Sequence, residues 1–499
     1  MAVFMRRLPL GRWLSRWTKD DFSSVAICRS SKAPQRENSL RRYRYSGIDF
    51  PKFNKQRVTS MLRSREQTVP IEKGSILYYE SNFLPSNDPI EDRHSVARCL
   101  QTDAMLFGVF DGHAGDSCAQ IISERLFDYI AVSLMPPEVL DQFCKSFLSR
   151  GITLDLLQWY YHKKTSHYDA LLGVHKNNLH RFAVETLSTL EDEFSLASAL
   201  EGAFVRLDND ISSMAMPSNN NGLINSQLLN IALAGSCAIV AHVNGPHLHV
   251  ANSGDCKAIL GRMSSGGNIK FIPLSNDHSA NNPKEVERIR REHPPNENVI
   301  RNQRLMGNLA PLRAFGDVCY KWPSKELAYV TKHAGKLNNP YAVMLSNYYT
   351  PPYLTAKPEV ISYRLTPADR FMILATDGLW DMLTPEKVTH LISEHMMGKQ
   401  TWTKYEAAGT LTLGKINSDL RKRRVGLEYK PEDINVATHL LRHALGGNNG
   451  ENVTHSKLSA FLSLPPELSR SFRDDITMII VFFDDNYLRD YSSVSEPFY

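Results

Sequence analysis

Apolar residues in this chain fall into two kinds of stretch. The first is a short, mostly apolar run that stops at a polar residue. Ile76–Tyr79, Leu106–Phe110, Phe371–Ala375 and Ile476–Phe483 are of this kind, and such runs predict buried strands. Leu229–Leu233, Ala238–Val243, Leu248–Ala251 and Ala258–Leu260 read as further β-runs, with turns at Asn244-Gly245-Pro246 and Asn252-Ser253-Gly254-Asp255. Short strands with Gly and Asn turns predict antiparallel sheet. The second kind has helical spacing. Asp116–Leu134 repeats Cys118, Ile121, Ile122, Leu126 and Ile130, and Ser195–Ile211 repeats Leu196, Leu200, Phe204, Leu207 and Ile211. Helices are also expected at Asn281–Glu292, Pro385–Met396 and Asp433–Leu445, and over most of 136–200, where a polar patch near His162–His167 interrupts. Mixed blocks without regular βαβ alternation predict an α+β fold, sheet packed against helices.

The flanks differ from this body. Residues 1–19 carry Arg6, Arg7, Arg12, Arg16 and Lys19 and no acid, and a helix there would gather Leu10, Trp13, Leu14 and Trp17 on one face. That is the composition of a mitochondrial transit peptide; a surface helix or a helix lying on a membrane are the alternatives. The polar, basic stretch to residue 65, with Arg41-Arg42-Tyr43-Arg44, reads as linker. The folded domain is expected over 66–490, with insertions near 136–200, 318–357 and 400–430, and a tail at 491–499. The middle insertion carries Tyr348-Tyr349-Thr350-Pro351-Pro352-Tyr353, fit for a recognition flap or a rigid polyproline cover.

Composition adds limits. A net charge of +5 on 499 residues is too diffuse to imply nucleic acid. Seven scattered cysteines without CxxC spacing argue against zinc or a disulfide framework and for a reducing compartment. No apolar run approaches the roughly 18 residues that span a bilayer.

Several β-runs end in acid. Leu106–Gly115 reads LFGVFDGHAG, with Asp111, Gly112 and His113 at the mouth of the strand. Alone, a strand ending in Asp-Gly is a turn. The pattern recurs at Asp377-Gly378 after Ile373–Ala375, at Asp474-Asp475 before Ile476, and at Glu91-Asp92. Acids at the ends of several strands make an all-oxygen cage for Mg²⁺ or Mn²⁺. If Asp111, Asp377 and Asp474 converge with the Gly112 carbonyl, two cations fit about 3.5–4 Å apart, bridged by Asp111 and a water, which becomes a nucleophile near neutral pH. Phosphoryl transfer needs little more than positioning and charge neutralisation. His113 is placed to protonate the leaving oxygen. No P-loop is present, and no Cys is set beside an activating base.

The strings DPIEDRHS, FGVFDGHAG, ALAGSCAIV, ANSGDCKAI, RAFGD, ATDGLWD and RDDIT, in this order between about Ile76 and Phe483, resemble the metal-dependent Ser/Thr protein phosphatases of type 2C. The resemblance implies a β-sandwich of two antiparallel sheets flanked by α-helices, with two Mg²⁺ or Mn²⁺ ions at one end. It implies that Asp111 bridges the metals and Gly112 offers its carbonyl. It gives Asp377 and Asp474 to one metal site, has Glu91 act through a water with Asp92 beside it, and makes His113 the general acid. Asp255 and Asp381 match positions that can hold a third, looser metal; as plain residues they are a turn aspartate and a helix cap.

One position departs from the pattern. Four residues before Glu91, where the family usually has a phosphate-binding arginine, stands Asn87. Asparagine brings a hydrogen bond but no charge or fork; neighbouring Arg93 is the candidate substitute, its alternative reading being a strand-surface charge. Longer strings, including SNDPIEDRHSVARCLQT and YYTPPYLTAKPEV, resemble the branch of the family that acts on the mitochondrial pyruvate dehydrogenase complex. That implies a phosphoserine substrate on its E1α subunit, reactivation of the complex, and a place in the mitochondrial matrix. It also implies docking to the lipoyl domain of E2, with Ca²⁺ at that interface in some members, and a regulatory subunit. The competing readings are a non-catalytic scaffold with the same fold, for which Asn87 speaks, and a phosphatase for another mitochondrial phosphoprotein.

Overall fold

The structure is a computed structural model that describes residues 52–71, 74–150, 155–189, 194–333, 347–399, 401, 405, 412–448 and 452–492. The expected transit helix and most of the linker lie outside these residues, as does the tail beyond 492.

Among the described residues, thirteen strands form two antiparallel sheets of six and seven strands. In chain order they are β1 Gln67–Pro70, β2 Ile76–Leu84, β3 Arg93–Cys99, β4 Met105–His113, β5 Leu157–Tyr161, β6 Gly235–Asn244, β7 His247–Ser253, β8 Lys257–Met263, β9 Ile269–Pro273, β10 Phe315–Gly316, β11 Glu359–Arg364, β12 Asp369–Ala375 and β13 Ile476–Phe483. The first sheet runs β1-β2-β13-β12-β8-β9. The second runs β11-β7-β6-β4-β3-β5, with β10 paired to β6.

The central strands are apolar on both faces because both faces are covered. In β13, Ile476, Met478, Ile480 and Phe482 face one helical layer, with Val388, Leu391, Val436 and Leu440. The alternate residues Ile479, Val481 and Phe483 enter the core between the sheets, with Tyr79, Phe107, Val109, Ile239, Val250 and Met372. On β4, Leu106 and Phe110 turn outward to the other helical layer, which includes Ile121, Leu126, Phe204 and Leu207. The period of two thus serves two cores at once. The expected sandwich of two antiparallel sheets between helices is the observed one.

Several local expectations are corrected. Leu229–Leu233 is not a strand but part of the helix Ser226–Leu233. Asn225 caps it, accepting from the amides of Gln227 and Leu228, and an apolar run that short fits either element. Leu157–Tyr161, inside a stretch expected to be helical, is strand β5 on the edge of the second sheet. The linker ends earlier than residue 65. Helix Lys55–Arg63 buries Val58 and Leu62, the Phe53 amide donates to Ser459 Oγ at 2.7 Å, and Arg63 Nη2 meets Asp433 Oδ1 at 3.2 Å. In the aromatic insertion, Tyr353 is buried and its hydroxyl accepts from the amides of Tyr349 and Thr350. Tyr348 donates to the Trp322 carbonyl at 2.6 Å. These tyrosines are a packed cover, not a free flap.

Candidate active site

The registers of the two sheets bring the acidic strand ends together. In the second sheet Arg93 lies opposite Phe110, Asp111 opposite Cys237, and Ala238 opposite Ser253. The start of β3, the end of β4, the start of β6 and the end of β7 therefore share one edge. In the first sheet Ala375 lies opposite both Met478 and Lys257, and Ile476 opposite Leu84. The end of β12 thus meets the starts of β13 and β8 and the end of β2. Glu91-Asp92, Asp111–His113, Asp255, Asp377 and Asp474-Asp475 all sit within a few residues of these paired ends.

Contacts tie them closer. The Asp377 amide donates to Asp111 Oδ2 at 3.4 Å, and Thr376 Oγ1 to Asp92 Oδ2 at 3.0 Å. Glu91 Oε1 accepts from the Gly115 amide at 2.6 Å. A Cβ at Gly112 would overlap the Glu91 carbonyl, so only glycine lets these two backbones touch. Likewise Gly378 lies against the Asp475 carbonyl and Asp474 Cβ. Asp475, which sequence reasoning assigned no role, organises the loop. Its carboxylate accepts from the amides of Asn87 at 2.8 Å and Glu91 at 2.9 Å, and from Asn87 Nδ2 at 2.9 Å.

The charge of the cluster is poorly balanced. Burial, and then the neighbouring Asp377, Asp92 and Asp255, hold the Asp111 carboxyl well above the usual carboxylate range. Asp92 is raised in the same way, by burial and then by Asp475. Asp255 is raised chiefly by burial, against a 3.2 Å hydrogen bond from Cys237 Sγ. Glu91 is raised by burial, against the Gly115 amide and Arg470. Asp474 is engaged by Arg470 as an ion pair and by the Asp475 amide. Asp381 is exposed, its amide closing the turn back to the Asp377 carbonyl at 2.8 Å.

Among the described residues no group of three or more His, Cys, Asp or Glu is arranged as a ready metal cage. The donor set still fits a hard divalent cation. It is all oxygen, it is largely half-buried, and its carboxylates repel one another with too little positive charge among them.

His113 lies at the same mouth, its Nε2 2.6 Å from Asp317 Oδ2. Burial alone would depress this imidazole, but the Asp317 charge and hydrogen bond outweigh it and raise the pKa. Gly235 faces the pair, and a Cβ there would overlap both partners. Asp317 was missed as a site residue; only its place in RAFGD pointed to it. It sits in the left-handed region at φ 51°, its amide bonded to the Ala234 carbonyl at 3.0 Å. The preceding Gly316 amide donates to Asp208 Oδ1 at 2.8 Å, and Lys321 Nζ to Asp208 Oδ2 at 2.7 Å.

The expected phosphate ligand Arg93 is corrected by its surroundings. Its side chain is buried, donating to Gln120 Oε1 at 2.6 Å, to the carbonyls of Ile90 and Asp92 at 2.7 and 2.8 Å, and to Asp116 Oδ2 at 2.6 Å. It ties β3 to the helix Ser117–Ser133. Asn87 Nδ2 donates to Glu91 Oε2 at 3.0 Å as well as to Asp475.

Comparison with known proteins adds the family. The protein phosphatase 2C profile matches residues 161–422. The chain is 43% identical to the bovine mitochondrial protein named [pyruvate dehydrogenase [acetyl-transferring]]-phosphatase 1, over 87% of this chain and 84% of the relative. It is 41% identical to the human mitochondrial phosphatase 2 of the same name, over 90% of this chain and 88% of the relative. A solved serine-threonine phosphatase 2C from Toxoplasma gondii has 20% identity and a TM-score of 0.43, covering 84% of this chain and 99% of that one.

Proposed function

The chain belongs to the protein phosphatase 2C family, and from that membership we propose that it is a Mg²⁺- or Mn²⁺-dependent phosphoserine phosphatase of the mitochondrial matrix. Its substrate in this reading is the phosphorylated E1α subunit of the pyruvate dehydrogenase complex. The observation that carries the substrate is the 43% identity over 87% of the chain to a phosphatase named for that complex. Docking to the E2 lipoyl domain, with or without Ca²⁺, and a regulatory subunit extend the proposal. The phosphatase domain of this reading takes in the described body, with a transit peptide and linker ahead of it. Among the described residues no helix is long and apolar enough to cross a membrane.

Asp111, Asp377, Asp474 and the Gly112 carbonyl would hold the cations, with Glu91 and Asp92 acting from behind them. Asp255 and Asp381 are the residues for a looser third ion. Bound divalent cations supply charge neutralisation for phosphoryl oxygens and a more acidic water. The protein's own part is proton delivery and positioning. Asp317 is acceptor-only when ionised, so it keeps the proton of His113 on Nε2. Nδ1 is then the ring nitrogen that offers a proton to the leaving seryl oxygen. The Asp317 charge raises the pKa of the imidazole, which favours the protonated form a general acid requires. A scaffold would have no use for a carboxylate set 2.6 Å from this histidine.

The test compares dephosphorylation of the intact phosphorylated pyruvate dehydrogenase complex with that of unrelated mitochondrial phosphoproteins, at equal enzyme and metal. Strong preference for the complex supports the assignment. Equal rates would move the substrate elsewhere, and no hydrolysis of any would favour the scaffold.

A further inference from the structure

A phosphoserine enters this site as an anion among carboxylates, so some cation must receive it. The arginines around the mouth differ sharply in what they can do. Arg93 is buried and committed to four acceptors. Arg473 is buried, its Nη2 donating to the Pro85 carbonyl at 2.6 Å. Lys257, beside Asp255, is held by Asp277 at 3.0 Å and lies over the Trp380 ring. Asn87, on the same loop as Glu91, spends both Nδ2 hydrogens on carboxylates.

Arg470 is different. It projects from the short helix Pro466–Phe472, its side chain is 45% exposed, and it pairs with Asp474. That ion pair sets it at the same mouth, where its charge works to lower the pKa values of Glu91 and Asp111. A guanidinium paired with one carboxylate at a solvent edge exchanges partners at little cost. Its fork matches two phosphoryl oxygens as well as it matches a carboxylate.

We infer that Arg470 is the substrate-phosphate ligand, exchanging Asp474 for the phosphoryl oxygens of the bound phosphoserine. The inference rests on the phosphatase reading above. The exchange has a second consequence: Asp474 serves either Arg470 or a cation fully, so removing the arginine leaves metal binding intact or tighter.

The test uses the full chain loaded with Mn²⁺ and inorganic phosphate as the probe, titrated by calorimetry, together with steady-state kinetics on a phosphoseryl peptide. The variants are Arg470→Gln, Arg470→Lys and the double variant Arg470→Gln with Asn87→Arg. A lost charge-assisted bidentate contact raises the phosphate Kd and the peptide KM by about tenfold or more. kcat falls less, Mn²⁺ affinity does not weaken, the lysine variant is intermediate, and Asn87→Arg restores part of the loss. In an active wild type, a phosphate Kd and KM for Arg470→Gln within about twofold of wild type overturn the inference alone. A folded wild type that neither binds phosphate nor releases it with Mn²⁺ overturns the phosphatase reading and this inference with it.

Discussion

His113 and Asp317, 204 residues apart in sequence, meet at 2.6 Å across the mouth of the sandwich. Asp317→Asn keeps the shape and removes the charge, so the His113 pKa falls. The acid form is needed for a seryl leaving group, and activity is lost as pH rises through the raised His113 pKa. In the variant that loss moves to lower pH. Hydrolysis of a phosphoseryl peptide is expected to drop by roughly a hundredfold, and that of 4-nitrophenyl phosphate, whose leaving group scarcely needs a proton, far less. Profiles of kcat against pH for both substrates check this; equal losses on both would remove the general-acid role.

Gly235 leaves the space in which that pair sits. Gly235→Ala is expected to push His113 off Asp317 and reproduce the selective loss on seryl substrates. The carboxylate set is untouched, so the rise in melting temperature on adding Mn²⁺ should match wild type.

Asp111 is half-buried among like charges. Asp111→Asn removes one of them, so the metal-free variant should melt no lower than wild type. Excess Mn²⁺ should raise the Tm of wild type by ligand linkage and leave the variant nearly unmoved. Activity should vanish in Asp111→Asn and in Asp377→Asn while circular dichroism stays native. Near-normal turnover of Asp377→Asn would refute the assignment of that residue to the metals.

Away from the site, Glu285 binds Arg313 at 2.5 Å and Arg288 at 2.9 Å. Burial works against its charge, but the two arginines prevail and lower its pKa from 4.5 to about 2. A depressed carboxylate stabilises the fold above its unfolded pKa, and that stability is lost as pH falls from 4.5 through about 2. The linkage amounts to roughly 3 kcal/mol. Urea unfolding of Glu285→Gln should show a loss of this order at pH 7, shrinking toward pH 2.

The sandwich was legible where sequence pattern and burial agree. Ile476–Phe483 is apolar at every position but Thr477 because both its faces are covered, and the acidic ends of the β-runs marked the mouth. Four features were not legible, each for its own reason. Leu229–Leu233 is too short for periodicity to separate strand from helix, and the Asn225 cap decides it. Lys55–Arg63 buries Val58 and Leu62 and packs Met61 against the core, and the rest of it is polar, so it looked like linker. Asp317 and Asp475 act on residues far away in sequence, and nothing local distinguishes them from turn aspartates. Arg93 failed for the opposite reason: its sequence neighbours suggested an exposed charge, and tertiary packing buried it.

The most direct measurement is phosphate release from the phosphorylated pyruvate dehydrogenase complex by the purified chain, across a titration of Mg²⁺ and Mn²⁺ with a chelator control. Saturable, metal-dependent release that is absent in Asp111→Asn is the predicted result. Release that persists in excess chelator, or none from a folded protein with either metal, would contradict it.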